Sequence, residues 1–229
     1  MILNIILINL FGLIVGYLIG SINIAIIITK IKYKTDIRKH GSNNAGSTNA
    51  LRIYGYKVAL IIFIFDILKS FLPLMFFSLI QQNSLNSLNI FINIIPQIVA
   101  LGAVIGHIFP LYFKFKGGKG AASLLGAFFG INLIVVFIGI IIFLLIVYIS
   151  KYVSLGSIIA PFILILISFI PWIILGELGF LNWRLNSNYY WINTIILFVS
   201  YLFVLFSHKQ NIKRLINKTE SKLKFKKRT

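Results

Sequence analysis

Residues 120–150 read GAASLLGAFFGINLIVVFIGIIIFLLIVYIS, an apolar stretch without a charged side chain. A helix crosses the hydrocarbon core of a bilayer in about 20 residues, so this stretch is too long for one comfortable crossing. Gly130 and Asn132 offer a place to break it. Whether this stretch crosses once or twice determines the total number of membrane crossings and the side on which the later loops lie.

The composition of the whole chain is that of a polytopic membrane protein. Of its 229 residues, 59% are hydrophobic and 11% are charged, whereas soluble domains carry about 25% charged residues. This excludes a water-soluble globule. The absence of cysteine excludes disulfides, iron–sulfur clusters and thiolate nucleophiles. A net charge of +18 indicates anionic lipid, an anionic substrate or both as partners, and we expect no nucleic acid.

The basic residues form groups that orient the crossings. Seven lie in 30–57, three in 114–119 and nine in 209–228. The positive-inside rule places such basic loops in the cytoplasm. The apolar stretches that we expect to enter the membrane are 2–29, 58–80, 91–113, 120–150, 153–176 and 190–207.

A single crossing by 120–150 would put the second and third basic groups on opposite sides of the membrane. A break near 130–132 returns both to the cytoplasm and leaves the loops 81–90 and 177–189 outside. We therefore predict an all-α integral membrane protein with seven transmembrane helices, an outside N-terminus and a short helix over about 120–130. That short helix must be buried in protein or line a cavity. One long tilted helix is the alternative.

The chain as a whole, 1–229, is predicted to be one membrane domain whose end, 208–229, is a basic cytoplasmic tail. In the tail, apolar side chains recur beside lysines, a pattern typical of an interfacial helix on anionic lipid.

A cytoplasmic loop, DIRKHGSNNAGSTNALR at 36–52, has the most unusual composition. Gly41 and its neighbours let backbone N–H groups converge, Ser42 and Thr48 supply hydroxyls, and Arg52 offers a planar fork for phosphate. The pattern favours an anion site, with a flexible connector as the alternative.

A second glycine-rich segment, KGGKG at 116–120, precedes the short helix. Gly118 and Lys119 would lie at that helix's N-terminus, where phosphate is readily bound. The segment is not a Walker A loop, because that motif needs Gly at 113 and Ser or Thr at 120, which are Phe113 and Gly120 here. A flexible turn with interfacial lysines is equally compatible.

Three further sets of polar residues are candidates for chemistry. Ser154 begins a span and could cap the helix or contact a ligand. His208 and Asn211 become neighbours if the last helix continues past the membrane, with an anchoring tail as the alternative. Asp66 and Lys69 lie three apart inside a span, which indicates a functional site or a structural ion pair.

These segments, in this order along nearly the whole chain, resemble the bacterial PlsY family of acyl-phosphate:glycerol-3-phosphate acyltransferases. Each motif alone is weak, but the set is specific. The motifs are Gly20-Ser21 with Lys30, the 36–52 loop, Asp66-x-x-Lys69, GHIFP at 106–110, GGKG at 117–120, VSLGS at 153–157, and His208-x-x-Asn211 with Glu220.

The resemblance implies seven membrane helices in a bacterial plasma (inner) membrane, a cytoplasmic-side site and transfer of a fatty acyl group from acyl phosphate to glycerol 3-phosphate. The products would be lysophosphatidate and inorganic phosphate, in the first acylation step of phospholipid synthesis. No cofactor or metal is implied. The matched residues expected around the substrates are Gly41, Ser42, Thr48, Arg52, Gly118, Lys119, Ser154, His208 and Asn211. Five of these are expected to act in catalysis: Ser42, Arg52, Lys119, His208 and Asn211.

Two positions depart from the family loop, which usually reads GSGNxGATN. Asn43 replaces a glycine and Ser47 replaces an alanine. If the glycine has positive φ, asparagine is the residue best able to replace it. Ser47 adds a hydroxyl, and neither change removes a matched polar group.

An acyl phosphate is already activated, so the reaction needs no enzyme nucleophile, only positioning and charge stabilisation. His208 or the departing phosphate could take the proton of the glycerol hydroxyl, and the sequence leaves both open. No His-x-x-x-x-Asp pair occurs, since residues 45, 112 and 213 follow the three histidines at that spacing. A transporter of a phosphorylated or anionic solute and a non-catalytic lipid-binding protein are the alternatives.

Overall fold

The computed structural model describes residues 2–83, 90–175 and 190–223, which fold into α-helices joined by short loops. The α-helices within these residues are α1 (Ile2–Gly20), α2 (Ile24–Tyr33), α3 (Ser47–Tyr54), α4 (Tyr56–Asn83), α5 (Pro96–Ile108), α6 (Ala121–Phe129), α7 (Leu133–Ser150), α8 (Val153–Ser168), α9 (Pro171–Leu175), α10 (Tyr190–Ser207) and α11 (Lys209–Ile216).

The length and hydropathy of these helices are those of a multi-pass membrane protein, as predicted. Five helical segments are long and apolar enough to cross a bilayer: Ile2–Tyr33, Tyr56–Gln82, Pro96–Phe113, Leu133–Ser150 and Tyr190–Ser207. Two apolar helices are shorter, α8 with 16 residues and α6 with 9. The count of seven crossings and the outside N-terminus stay predictions.

The predicted break in the 120–150 stretch is confirmed. The short helix α6 ends at Phe129 and α7 begins at Leu133. Asn132 starts α7, because its side-chain oxygen accepts hydrogen bonds from the N–H groups of Ile134 and Val135. Most of α6 is buried, as expected for a helix of about 13 Å that cannot span a bilayer at 1.5 Å per residue.

Two other apolar stretches break where no break was predicted. The stretch 2–29 divides after Gly20, because Asn23 caps α2 by accepting a hydrogen bond from the N–H of Ile26. The stretch 153–176 divides after Ser168, and Pro171 begins α9. A polar N-cap residue and a proline at the first helical position start a new helix even where the surrounding residues are apolar.

Close contact between α1 and α5 builds one wall of the bundle. A Cβ at Gly16 would overlap the backbone of Val99, and one at Gly106 would overlap that of Tyr17. Small residues of this kind let membrane helices approach closely and gain van der Waals contact. The α5 helix is therefore fixed in place, together with His107 near its end.

The basic loops lie at one end of the bundle, around a shared polar pocket. The tail folds back onto this end, where the N–H of Leu223 donates to the carbonyl oxygen of Lys151 at 2.8 Å. The two loops predicted to face outside, 81–90 and 177–189, fall largely outside the described residues, as does the tail beyond 223.

Candidate active site

Segments that are distant in sequence meet in one polar pocket. They are the first loop with α3, Asp66 on α4, His107 on α5, the start of α6, the start of α8, and the tail from His208 to Glu220. Seven of the nine predicted site residues line the pocket: Ser42, Thr48, Arg52, Lys119, Ser154, His208 and Asn211. The structure thus brings together the residues that we expected to meet, and their individual roles stay predictions.

Asn49, at the start of α3, holds the first loop in its shape. Its amide group donates to the carbonyl oxygens of Ile37, His40 and Asn44 at 3.2, 3.0 and 3.0 Å. Its Oδ1 accepts from the N–H of Ser42 at 2.8 Å. The predicted site did not include Asn49, although it is the last residue of the family loop GSGNxGATN, because the contacts that give it this role are not visible in the sequence.

Two residues of this loop have positive φ. Gly41, with φ +62°, does not line the pocket, and a Cβ there would overlap the Oδ1 of Asn49. Asn43 has φ +56°, which confirms that the position favours glycine or asparagine. The predicted importance of Gly41 is therefore conformational, because it lets the loop close around Asn49.

Arg38 joins the first loop to the second. Its Nη1 donates to the carbonyl oxygens of Phe113 and Lys116 at 2.9 and 2.8 Å. Its Nη2 donates to the carboxylate of Asp36 at 2.7 Å. The hydrogen bond that Arg38 donates to the Asp36 carboxylate lowers the pKa of Asp36. The pair therefore ties the two loops that carry the predicted phosphate-binding residues.

Lys119 follows a tight turn and faces the pocket. The N–H of Gly118 donates to the carbonyl oxygen of His107 at 3.0 Å, and Ser207 Oγ donates to the carbonyl oxygen of Lys119 at 2.8 Å. Gly118 itself does not line the pocket. Burial lowers the pKa of Lys119 to about 8, although the carboxylate of Glu220 acts in the opposite direction. The ammonium group has no hydrogen bond to a residue in the described ranges.

His208 stands at the junction of α10 and α11 and is 2% exposed. Its Nδ1 lies 2.8 Å from the carbonyl oxygen of Val204. Burial and the nearby Lys119 ammonium lower the pKa of His208 to about 4. A neutral ring with its proton on Nδ1, shared with that carbonyl, leaves Nε2 as a hydrogen-bond acceptor.

Glu220 is a pocket residue that our predicted site did not include. It is 9% exposed, and its Oε1 accepts from Ser154 Oγ at 2.9 Å and from Asn211 Nδ2 at 2.7 Å. Arg214 Nε donates to Oε2 at 2.6 Å. Burial opposes ionisation, but these three hydrogen bonds outweigh it and lower the pKa of Glu220. The position of Glu220 as the lone acid in a basic tail was the available indication.

These contacts correct one interpretation and sharpen another. Ser154 does not cap α8, whose N-cap is Tyr152; its hydroxyl donates to Glu220 instead. Asn211 is fixed through its amide nitrogen, while its buried Oδ1 has no partner among the described residues. That oxygen is available to accept a hydrogen bond from a bound molecule.

Asp66, Lys69 and His107 form a buried cluster beside the pocket, as the sequence allowed. Lys69 Nζ lies 2.9 Å from Asp66 Oδ1 and 2.7 Å from His107 Nδ1. Asp66 and His107 reach the pocket lining, whereas Lys69 does not. Within residues 2–83, 90–175 and 190–223, no three His, Cys, Asp or Glu side chains form a group that could hold a metal ion.

The pocket therefore combines cationic groups with hydrogen-bond acceptors. Arg52 is exposed and has no ion pair within the described residues, and Lys119 likewise keeps its ammonium unpaired. His208 Nε2 and Asn211 Oδ1 are the acceptors. Such a site can hold phosphate groups and orient a hydroxyl group without a covalent intermediate.

Comparison with known proteins identifies the family. A family model described as glycerol-3-phosphate acyltransferase matches residues 10–218. The chain is 47% identical to the glycerol-3-phosphate acyltransferase of Mycoplasmopsis agalactiae, over 97% of each chain. It is 40% identical to that of Mycoplasma pneumoniae, over 95% of each chain.

A solved structure agrees with these relatives. The fold is similar to the crystal structure of PlsY, an integral membrane glycerol 3-phosphate acyltransferase, in its glycerol 3-phosphate form. The TM-score is 0.74 at 30% sequence identity, with 94% of this chain and 96% of that chain covered. The chain with this pocket is therefore a membrane acyltransferase that belongs to the glycerol-3-phosphate acyltransferase family.

Proposed function

We propose that this protein transfers a fatty acyl group from acyl phosphate to glycerol 3-phosphate, giving lysophosphatidate and inorganic phosphate. The observation that carries the proposal is that one pocket combines cations that have no ion pair within the described residues with the hydrogen-bond acceptors His208 Nε2 and Asn211 Oδ1. Arg52 and Lys119 suit the phosphates of two substrates, and His208 and Asn211 suit the attacking hydroxyl group.

The reaction needs positioning more than it needs activation. The hydroxyl oxygen of glycerol 3-phosphate attacks the acyl carbonyl carbon, a new C–O ester bond forms, and the bond from that carbon to the phosphate oxygen breaks. Lys119 and Arg52 stabilise the charge that develops on the carbonyl and leaving-group oxygens. Phosphate departs without any covalent bond to the protein.

The proton of the attacking hydroxyl group goes to the departing phosphate. His208 Nε2 accepts a hydrogen bond from this hydroxyl and orients it. With a pKa of about 4, His208 is a weak base at neutral pH, and a general base works best when its pKa lies near the working pH. The basic phosphate oxygen is the better final acceptor.

The position of the basic loops also supports a proposal about the side of the membrane on which the site lies. The pocket lies at the end of the bundle that carries the basic loops, and basic loops face the cytoplasm. We propose that the site opens to the cytoplasmic side of a bacterial plasma (inner) membrane. Glycerol 3-phosphate would reach it from water, and the basic tail would rest on anionic lipid.

The test is an assay of purified protein in detergent with glycerol 3-phosphate and acyl phosphate. We expect lysophosphatidate to form without added metal. Full activity with acyl-CoA or acyl carrier protein alone would overturn the donor assignment. No acylation, together with glycerol 3-phosphate uptake into proteoliposomes, would support the transporter alternative.

Variants connect this activity with the pocket. Arg52→Ala, Lys119→Ala and His208→Ala should each lower kcat/KM at least tenfold, about 1.4 kcal/mol of barrier. Lys57→Ala is the matched control, because Lys57 is exposed and does not line the pocket. If the control lost as much activity as the three pocket variants, the assignment of the site would be wrong.

A further inference from the structure

The ammonium group of Lys69 has three polar neighbours. It lies 2.9 Å from Asp66 Oδ1, 2.7 Å from His107 Nδ1 and 3.3 Å from the carbonyl oxygen of Ile22. An ammonium group carries three N–H donors and no acceptor. All three of its donors therefore have an acceptor within hydrogen-bond distance, and one of these acceptors is the Asp66 carboxylate.

This arrangement fixes the protonation of His107. Since Lys69 can only donate, His107 Nδ1 must accept, and a neutral imidazole then carries its proton on Nε2. Asp66 Oδ1 lies 3.2 Å from the same Nδ1, and both accept from the lysine. The histidine is consequently held as the Nε2–H tautomer, with its ring orientation set from one edge.

The opposite edge of His107 shapes the turn that carries Lys119. A Cβ at Gly118 would overlap His107 Nε2, so the imidazole fills the space that a side chain at 118 would need. The carbonyl oxygen of His107 accepts a hydrogen bond from the N–H of Gly118 at 3.0 Å. The ring and backbone of one residue thus contact the residue before Lys119 from two directions.

We propose that His107 is a positioning residue for the acyl transfer: held by Lys69 and Asp66, it sets the turn at 117–119 so that the Lys119 ammonium faces the substrate phosphate. The proposal rests on the proposed function, since it needs a phosphate in the pocket. It gives the buried ionisable cluster a role in substrate binding as well as in packing.

The tautomer can be observed without activity. Protein labelled with ¹⁵N-histidine in detergent should show one ring with Nδ1 unprotonated and Nε2 protonated, and its signal should disappear in His107→Gln. An Nδ1-protonated or doubly protonated His107 would overturn the proposal. Because the spectrum needs no turnover, it stands even if the acyl-phosphate assay fails and the proposed function falls.

Kinetics test the positioning. His107→Gln places an amide N–H near the position of Nε2, whereas the shorter side chain of His107→Asn leaves the space beside Gly118 empty. We expect His107→Asn to raise, at least about tenfold, the KM of the substrate that Lys119→Ala also weakens, with a smaller change in kcat. His107→Gln should recover most of that loss.

A double variant separates positioning from general damage. His107→Asn combined with Lys119→Ala should be no worse than Lys119→Ala alone, because residues that act as a unit are not additive. Ser70→Ala is the matched control, since Ser70 is buried on α4, the helix that carries Asp66 and Lys69, and its hydroxyl has no partner within the described ranges. Additive losses, or a fall in kcat with unchanged KM, would overturn the proposal.

Discussion

Two clusters of charged side chains lie within reach of the same pocket, and they differ in how their charges are satisfied. In the first, Lys69 is surrounded by Asp66, His107 and a backbone carbonyl. In the second, Glu220 is bonded to three donors, while the ammonium of Lys119 is left without a partner among the described residues. The comparison indicates that satisfied charges hold the fold and that unsatisfied charges await a ligand.

Breaking the first cluster should have the largest effect on stability. Asp66→Asn leaves the Lys69 ammonium buried without a counter-ion, and removing one partner of a buried pair costs about 3–5 kcal/mol. We expect a markedly lower Tm in detergent. Adding Lys69→Met should restore most of it, and an unchanged Tm in Asp66→Asn would contradict the view that this cluster is structural.

In the second cluster, the unpaired charge should appear in the pH dependence of binding. The pKa of Lys119 is lowered to about 8, so its charge is present below that pH and lost above it. KM for a phosphate substrate should rise roughly fivefold between pH 8 and pH 9 as the ammonium deprotonates.

Lys119→Arg is the control for this pH dependence. A guanidinium keeps its charge throughout the range, so the rise in KM should disappear even if the variant is slower. If wild type and Lys119→Arg gave the same pH profile, another group would have to be responsible.

Neutralising the satisfied carboxylate of the second cluster should have a moderate effect. Glu220→Gln keeps an oxygen that accepts hydrogen bonds from Ser154 and Asn211. It replaces the oxygen that accepts from Arg214 by an NH₂ group, which can only donate. We expect kcat/KM to fall about fivefold, corresponding to ~1 kcal/mol. The measurement is the steady-state assay, and unchanged kinetics would show that Asn211 is positioned by other contacts.

The smallest effect is expected outside both clusters. Asn43 has φ +56° and is exposed. Asn43→Ala should lower stability by about 1 kcal/mol through backbone strain, whereas Asn43→Gly should be close to neutral. Thermal unfolding of the pair measures the cost of the loop conformation alone, and equal Tm values for alanine and glycine would contradict it.

Parts of the fold were predictable because the responsible residues act locally or through net charge. The break before α7 was predicted from the basic groups on both sides, and it falls at Asn132, which the structure shows to be the N-cap of that helix. The break at 21–23 was missed because apolar residues continue on either side. There the decisive contact is a single side chain, Asn23, on the N–H of Ile26.

The site residues that could be predicted are those whose side chains are unusual for an apolar chain. Arg52, Lys119 and His208 stand out in an apolar chain, and they do line one pocket. Arg38 was not singled out, and Glu220 was noted in a family motif but not placed in the site, because their roles depend on contacts across long sequence separations. Ser154 and Glu220 are 66 residues apart, and Arg38 and Lys116 are 78 apart. Such partners are determined only by the packing of the helices.

The return of the tail to the α7–α8 turn has a practical consequence. The hydrogen bond between Leu223 and Lys151 places Glu220 in the wall of the pocket. Shortening the protein to end before 220 would remove one side of the site while leaving every membrane helix intact. A deletion that looks harmless by hydropathy should therefore yield a well-inserted but inactive protein, and affinity tags are better attached elsewhere.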